Sequence, residues 1–155
     1  MDLRSHRIAP ILFGLLLIVC GGLFAADLSL SGGDVSMTIS AAVAGQQPTG
    51  VTDETTQLQW VTLISDPTKK IVAQSNLGTP NFTLSVTAVS ISAGDGSSAG
   101  IVTLGSTPTD LIVDIPADVP AGDPGTCTLR YAASAVAGDG SGSDVHTVTF
   151  TIMDQ

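Results

Sequence analysis

Apolar and polar residues alternate with a period of two along most of the chain after residue 26, which is the pattern of half-buried β-strands. The first alternating segment spans residues 27–43 and is interrupted by Gly32 and Gly33. Its apolar positions are Leu28, Leu30, Val35, Met37, Ile39, Ala41 and Val43. After position 30, no window of ten or more residues shows the 3.6-residue period of an amphipathic helix.

Further strands are predicted wherever the alternation or a short apolar run returns. They cover residues 58–64, 69–74, 82–91, 101–104, 111–115, 127–135 and 146–152. Gly, Pro, Asp and Ser separate them at intervals of about 8–12 residues, as in antiparallel sandwiches. We expect an all-β, antiparallel, immunoglobulin-like (pilin-like) β-sandwich of about seven to nine strands. A Gly-Asp-Gly-Ser loop joins the last two strands, which we therefore expect to form a hairpin.

The first 26 residues have the composition of a secretory signal. Arg4 and Arg7 precede an uncharged, Leu- and Ile-rich run that ends in Ala25 and Ala26. This pattern predicts a signal peptide over residues 1–26, cleaved near Ala25/Ala26, and a secreted, extracellular or cell-surface protein that contacts the membrane only during export. Two alternatives remain: the run is close to the roughly 20 residues of a membrane anchor, and Cys20 allows a lipid-modified N-terminus.

The remaining residues, 27–155, are enough for one domain, and they are strongly acidic. Asp2, Arg4 and Arg7 precede them, so this part keeps 13 of the chain's 14 acidic and 3 of its 5 basic residues. The resulting net charge of about −10 repels phosphate, which excludes nucleic acid as a partner. The acidity is typical of a highly soluble surface, or of carboxylates that bind a hard cation such as calcium.

Candidate catalytic groups are scarce after residue 26, where the chain has one histidine and one cysteine. His146 and Cys127 both fall in strand alternation, and neither lies in a nucleophile motif. We therefore predict no catalytic residue, no enzyme activity and no small-molecule substrate. Cys127 has no partner for an intrachain disulfide in this part, and we expect it to be a buried thiol.

Two Asp-Gly-Ser loops are the candidate metal sites. The loop at residues 139–144 places oxygen side chains at alternate positions. The loop that begins at Asp95 is a shorter version of it. The candidate calcium ligands are Asp139, Ser141, Ser143, Asp144 and Asp95. The same residues also suit tight turns, since Gly and Asp tolerate positive φ. Calcium is the one cofactor that the sequence suggests, and a turn without metal is the competing interpretation.

Three stretches resemble bacterial pilin-like β-sandwich proteins of the spore-coat-U and fimbrial types. They are the opening Leu-x-Leu-x-Gly-x-x-Val (Leu28 to Val35), the middle KKIVAQSNLGTPNFTLSV and the closing VPAGDPGTCTLRYAASA and DVHTVTFTI. The resemblance implies a structural subunit at the cell surface. Some such subunits assemble by donor-strand exchange, in which an N-terminal strand completes the sheet of the next subunit. This chain departs from the disulfide that many of these subunits contain.

The sequence therefore predicts a structural subunit of an extracellular filament, pilus or surface layer that forms a homopolymer by β-strand addition or donor-strand complementation. Residues 27–43 are the candidate donor or edge strand, with Leu28, Leu30, Val35, Met37 and Ile39 as the assembly residues. The alternative is a monomeric secreted binding module or adhesin that acts through its Asp-Gly-Ser loops, with calcium as the candidate ligand.

Overall fold

Nine β-strands form two antiparallel sheets in the described part of this computed structural model, which covers residues 26–39, 46–136, 138 and 142–155. The strands are β1 (Asp27–Ser31), β2 (Val51–Val61), β3 (Lys69–Ser75), β4 (Thr83–Val89), β5 (Ser97–Ser98), β6 (Val102–Thr103), β7 (Thr109–Ile115), β8 (Gly125–Ser134) and β9 (Val148–Asp154). One sheet has the order β1-β2-β8-β4-β6 and the other β5-β7-β3-β9. The all-β sandwich predicted from the alternation is confirmed.

The core lies between the two sheets. Alternate residues are buried along β4 and along β8, as a strand with one face on the core requires. The largest fully buried side chains are Trp60, Leu58, Ile71, Leu111, Ile112, Ile115 and Leu129. Cys127 joins this core at 3% exposure, which confirms the prediction of a buried thiol. No described helix is long and apolar enough to span a membrane.

The strand order corrects the predicted hairpin of the last two strands. Strand β8 pairs with β2 on one side and β4 on the other, whereas β9 pairs with β3 in the opposite sheet. Both edges of β8 are therefore occupied, and the chain crosses between sheets after Ser134. Alternation determines which face of a strand is buried, but it does not choose the neighbouring strand. In the constant-type immunoglobulin order the second strand pairs with the fifth, whereas here it pairs with β8.

Strand β2 begins earlier than the sequence predicts. It starts at Val51, and its first half is mostly polar, with Thr52, Thr55 and Thr56 among its residues. Threonine favours strands because its branched Cβ fits a pleated surface. The register of β2 against β8 shifts between Asp53 and Thr56, so alternation is interrupted there. The two-residue strand β5 was also not predicted.

Two of the predicted segments lie wholly or partly outside the described residues. The predicted signal peptide occupies residues 1–26, of which only Ala26 is described. The predicted strand 27–43 is described as far as Ile39.

A test of the sandwich core is the contact between Gly125 and Trp60, which are partners across β2 and β8. A Cβ at residue 125 would overlap the indole ring. We expect Gly125→Ala to lower the free energy of unfolding by about 1–3 kcal/mol, because overpacking displaces a side chain that is 1% exposed. Urea denaturation measures this effect. In the control Gly122→Ala the new Cβ meets no atom within 4 Å, and a loss as large as that of Gly125→Ala would contradict the packing.

Candidate assembly interface

Strand β1 forms one edge of the five-stranded sheet. It pairs with β2 in antiparallel register, with Leu28 opposite Trp60 and Leu30 opposite Leu58. Residues directly opposite each other share a face of the sheet, so both leucines point toward the space between the sheets. Trp60 and Leu58 are buried there, but Leu28 is only partly buried and Leu30 is 52% exposed. The inward face of β1 is therefore incompletely covered.

Strand β9 forms the matching edge of the second sheet. Its inward residues Val148, Phe150 and Ile152 lie opposite Ser75, Ala73 and Ile71 of β3. The three partners on β3 are buried, whereas the three residues on β9 are only partly buried. The inward-facing apolar residues of β9 are therefore incompletely covered, as those of β1 are.

Both partly covered edges are on the same lateral side of the sandwich, because β1 and β9 contact each other. We call this side the lateral seam and define it by its inward-facing apolar residues. They are Leu28, Leu30, Val148, Phe150 and Ile152. A side that leaves large apolar groups part-exposed is a candidate contact surface.

The backbone edge of β9 is the longest regular edge of the sandwich. All seven residues of β9 pair with β3 without a register shift, and no other described strand pairs with β9. Residues 148–153 contain neither charge nor proline. Proteins protect edges by shortness, charge, proline or bulges, and the edge strands β5 and β6 have two residues each. β9 lacks all of these features until its last residue, Asp154.

Ion pairs and hydrogen bonds hold the C-terminal end of β9 to its own sheet. Lys69 Nζ donates to Asp154 Oδ1 at 2.7 Å and lies 3.6 Å from Asp66 Oδ1. The hydrogen bond to Asp154 raises the pKa of Lys69 above its ordinary value, although burial opposes the rise. Gln155 N donates to Thr68 O at 3.0 Å. These contacts make β9 a fixed part of the sandwich.

The other end of β9 is held by His146 and its neighbours. Ser75 Oγ and His146 Nδ1 lie 2.8 Å apart, and the His146 ring packs against Phe82 with 5.5 Å between centroids. Asn76 and Thr147 exchange two hydrogen bonds, of 3.1 and 2.8 Å. The Oγ of Ser75 also accepts a hydrogen bond from Leu77 N, so the serine and the histidine are placed to support β9. Ser75 is 3% exposed, and a substrate could not reach its hydroxyl.

The candidate assembly residues after β1 pack on the same core. Val35, Met37 and Ile39 are partly buried against the core cluster, while the residues between them are exposed. Of the five assembly residues predicted from sequence, Leu28, Val35, Met37 and Ile39 pack against the core, and Leu30 is 52% exposed. The sequence analysis predicted the strand at residues 146–152 but did not include it in the interface, because only the strand order shows that β9 is an edge.

The candidate calcium ligands are not brought together. Asp144 accepts from Asn81 N and Asn81 Nδ2, both at 2.6 Å, just before β4 begins. Asp95 accepts from Ser92 Oγ in the turn after β4 ends. The seven residues of β4 separate these loops by about 20 Å.

Ser143 is exposed, and Asp139 and Ser141 lie outside the described residues. In the described ranges, no group of three or more His, Cys, Asp and Glu residues could hold a metal. The carboxylate of Asp95 bonds within its own turn, whereas that of Asp144 bonds to Asn81, 63 positions earlier in the chain. Calcium binding stays a prediction.

No family model, curated protein or solved structure matches this chain. Function is therefore inferred from the geometry of the sandwich, above all from the lateral seam and from the edge of β9 that no described strand pairs with.

Burial of Cys127 gives the protein a predicted pH dependence. Burial raises the pKa of its thiol from 9.0 to about 11, although a backbone hydrogen bond with Leu58 opposes the rise. Burial likewise raises the pKa of Tyr131 from 10.0 to about 12. The unfolded chain loses these protons at lower pH than the folded chain, so their contribution to stability is complete below pH 9 and is lost as the pH rises toward 11 and 12.

Urea denaturation at several pH values above and below 9 measures this loss. We expect Cys127→Ala to be less stable below pH 9 but to lose less stability than the unmodified protein as the pH rises above 9. An equal loss in both proteins would show that the thiol is not protected by burial.

Proposed function

We propose that this protein is a non-enzymatic structural subunit of an extracellular filament, pilus or cell-surface layer, and that it assembles by β-strand addition. The observation that carries the proposal is the edge of β9, with seven regularly paired residues and no described partner on its other side. Such an edge presents a row of unpaired backbone donors and acceptors to a further strand. A homopolymer follows if that strand comes from a second copy of the chain.

The lateral seam supports the same proposal. A strand that adds beside β9 or β1 would pass over Leu30, Phe150 and Ile152, which are only partly covered. Burial of apolar surface contributes about 25 cal/mol per Å², so strand addition would add hydrophobic contacts to backbone hydrogen bonds. The outward-facing Thr149 and Thr151 on β9 leave the approach free of charge.

Lysines on the edge of β9 should prevent assembly. We expect the double variant Thr149→Lys/Thr151→Lys to remain monomeric under conditions where the unmodified protein forms filaments or sheets in negative-stain electron micrographs. Both side chains are exposed, so the melting temperature should change little, and lysine is a residue that natural edges use against strand addition.

The matched control adds the same two charges away from the lateral seam. Ile64 and Ile101 are each 79% exposed, and we expect Ile64→Lys/Ile101→Lys to assemble normally. Assembly of the β9 variant to the same extent as this control would remove β9 from the interface and the proposal with it.

Assembly should also respond to salt, because each exported subunit carries a net charge of about −10. Raising sodium chloride from about 0.01 to 0.15 M shortens the Debye length from about 30 to 8 Å. We expect the critical subunit concentration, measured by sedimentation, to fall. A rise would indicate an interface of complementary charges and not the uncharged edge of β9.

Calcium chloride at equal ionic strength separates screening from ion binding. Screening alone gives the same critical concentration as sodium chloride. A further decrease would require the bound cation that the Asp-Gly-Ser loops suggest.

A further inference from the structure

The hydrogen bonds at the two ends of β9 show which of its backbone groups face away from its own sheet. Asn76 N donates to Thr147 O, and Gln155 N donates to Thr68 O. In an antiparallel ladder, residues that bond to the neighbouring strand alternate with residues whose N–H and C=O point away from it. The odd-numbered residues of β9 therefore bond to β3. The backbone groups of residues 148, 150, 152 and 154 point toward the edge, where no described strand pairs with them.

Ser75 on β3 agrees with this assignment. It lies opposite Val148, and its N–H donates to Gly105 O instead of to β9. The pair of Ser75 and Val148 is thus one that exchanges no hydrogen bonds, so the backbone of Val148 faces the edge.

The edge of β9 is its own complement. A second β9 that runs antiparallel, with the two strands centred on Thr151, places Val148 opposite Asp154 and Phe150 opposite Ile152. Each facing pair can then exchange two hydrogen bonds, and all the edge-facing groups of residues 148, 150, 152 and 154 are satisfied. A register centred on Phe150 or Ile152 would carry one of these four residues past the end of the facing strand.

The side chains of this register also match. On the outward face Thr151 lies opposite Thr151 of the second copy, and threonine pairs across strands are favourable. On the inward face Phe150 lies opposite Ile152 of the second copy, which is a favourable aromatic and β-branched pair. Both residues are only partly buried in the free subunit. The pairing therefore covers residues of the lateral seam.

Charge favours this edge as the place where two copies meet. The net charge of about −10 makes two copies repel each other wherever free carboxylates face one another. Residues 148–153 carry no charge. Asp154 is paired with Lys69 at 2.7 Å, and on the next strand Lys70 is paired with Asp110 at 2.9 Å. In the register described above, the two Asp154 residues lie at opposite ends of the paired strands, about 20 Å apart along them.

We propose that the strand added beside β9 is β9 of a second copy, related to the first by a twofold axis at Thr151. The pairing joins two four-stranded sheets into one sheet of eight strands. This inference rests on the proposed function and names the partner strand and its register. The contact is isologous, because each copy offers the same surface. It closes at two copies, so the pair is the unit of the filament or layer, and growth beyond it needs a second contact.

A cysteine on the twofold axis tests the register in the full chain. Thr151→Cys places two thiols in a non-hydrogen-bonded pair, whose Cα atoms are about 4.5 Å apart, within the range that a disulfide spans. We expect mild oxidation to give a covalent dimer on a non-reducing gel. The unmodified protein measures the background from Cys20 and Cys127.

Thr149→Cys is the matched control, since Thr149 and Thr151 are both exposed on the same face of β9. In the proposed register its two thiols lie four residues apart along the strands, about 14 Å. We expect this variant to cross-link at least tenfold more slowly than Thr151→Cys. Equal rates would overturn the twofold pairing.

A mixture of two variants tests the facing positions directly. Thr149 faces Met153 of the second copy in the proposed register, so the Thr149→Cys and Met153→Cys proteins should cross-link when mixed. We expect each of them alone to cross-link slowly. A mixture that reacts no faster than its separate components would overturn the register.

Electron microscopy of the unmodified protein separates this inference from the proposed function. Filaments or layers from a protein whose Thr151→Cys variant cross-links no faster than Thr149→Cys would overturn the twofold pairing and leave β-strand assembly standing. Fast cross-linking of Thr151→Cys, with no filament or layer formed by the unmodified protein, would support the pairing and overturn the proposed function.

Discussion

The two sheets hold this protein together by covering each other's inward faces, and the rest of the structure depends on that coverage. Cys127, the cysteine among the described residues, is a free thiol within the core, so apolar contact and hydrogen bonding must stabilise the sandwich. Coverage is complete in the middle, where Leu58, Ile71 and Leu111 are 0% exposed. It decreases toward the sides, because the last strand of each sheet has a neighbour on one edge only.

The two lateral sides of the sandwich end differently. On one side the edge strands β5 and β6 are two residues long, so little backbone is offered to a partner. On the other side β1 and β9 meet with partly covered apolar residues, and β9 adds a regular seven-residue edge. Contacts of Lys69 with Asp154 and of Ser75 with His146 hold both ends of β9 in place. A fixed, uncharged edge beside partly covered apolar residues has the features that strand addition requires.

Much of the strand arrangement could be predicted from alternation, and the pairing could not. The strands from Lys69, Thr83 and Gly125 begin within two residues of their predicted starts, because each has one face on the core. The first half of β2 was missed because its threonines show no apolar period and its register shifts. The predicted hairpin of β8 and β9 was wrong because partner choice depends on the whole strand order, which a short loop does not determine.

The candidate interface, too, could be predicted from the sequence only in part. Leu28 and Leu30 were predicted as assembly residues from alternation, and they lie on the edge strand β1. The sequence VTFTIM at residues 148–153 could not show by itself that β9 is an edge strand, because the same pattern also suits a central strand. Asp95 and Asp144 looked alike in sequence but lie at opposite ends of β4, where Asp95 bonds within its own turn and Asp144 bonds to Asn81 of the segment before β4.

The most direct test of the central claim is hydrogen exchange of the β9 backbone before and after assembly. The outward-pointing amides of residues 148–154 have no described partner strand in the free subunit, and they should gain protection when subunits assemble. The amides at β5 and β6 should exchange at unchanged rates. Protection gained at β5 or β6 with none at β9 would contradict the account.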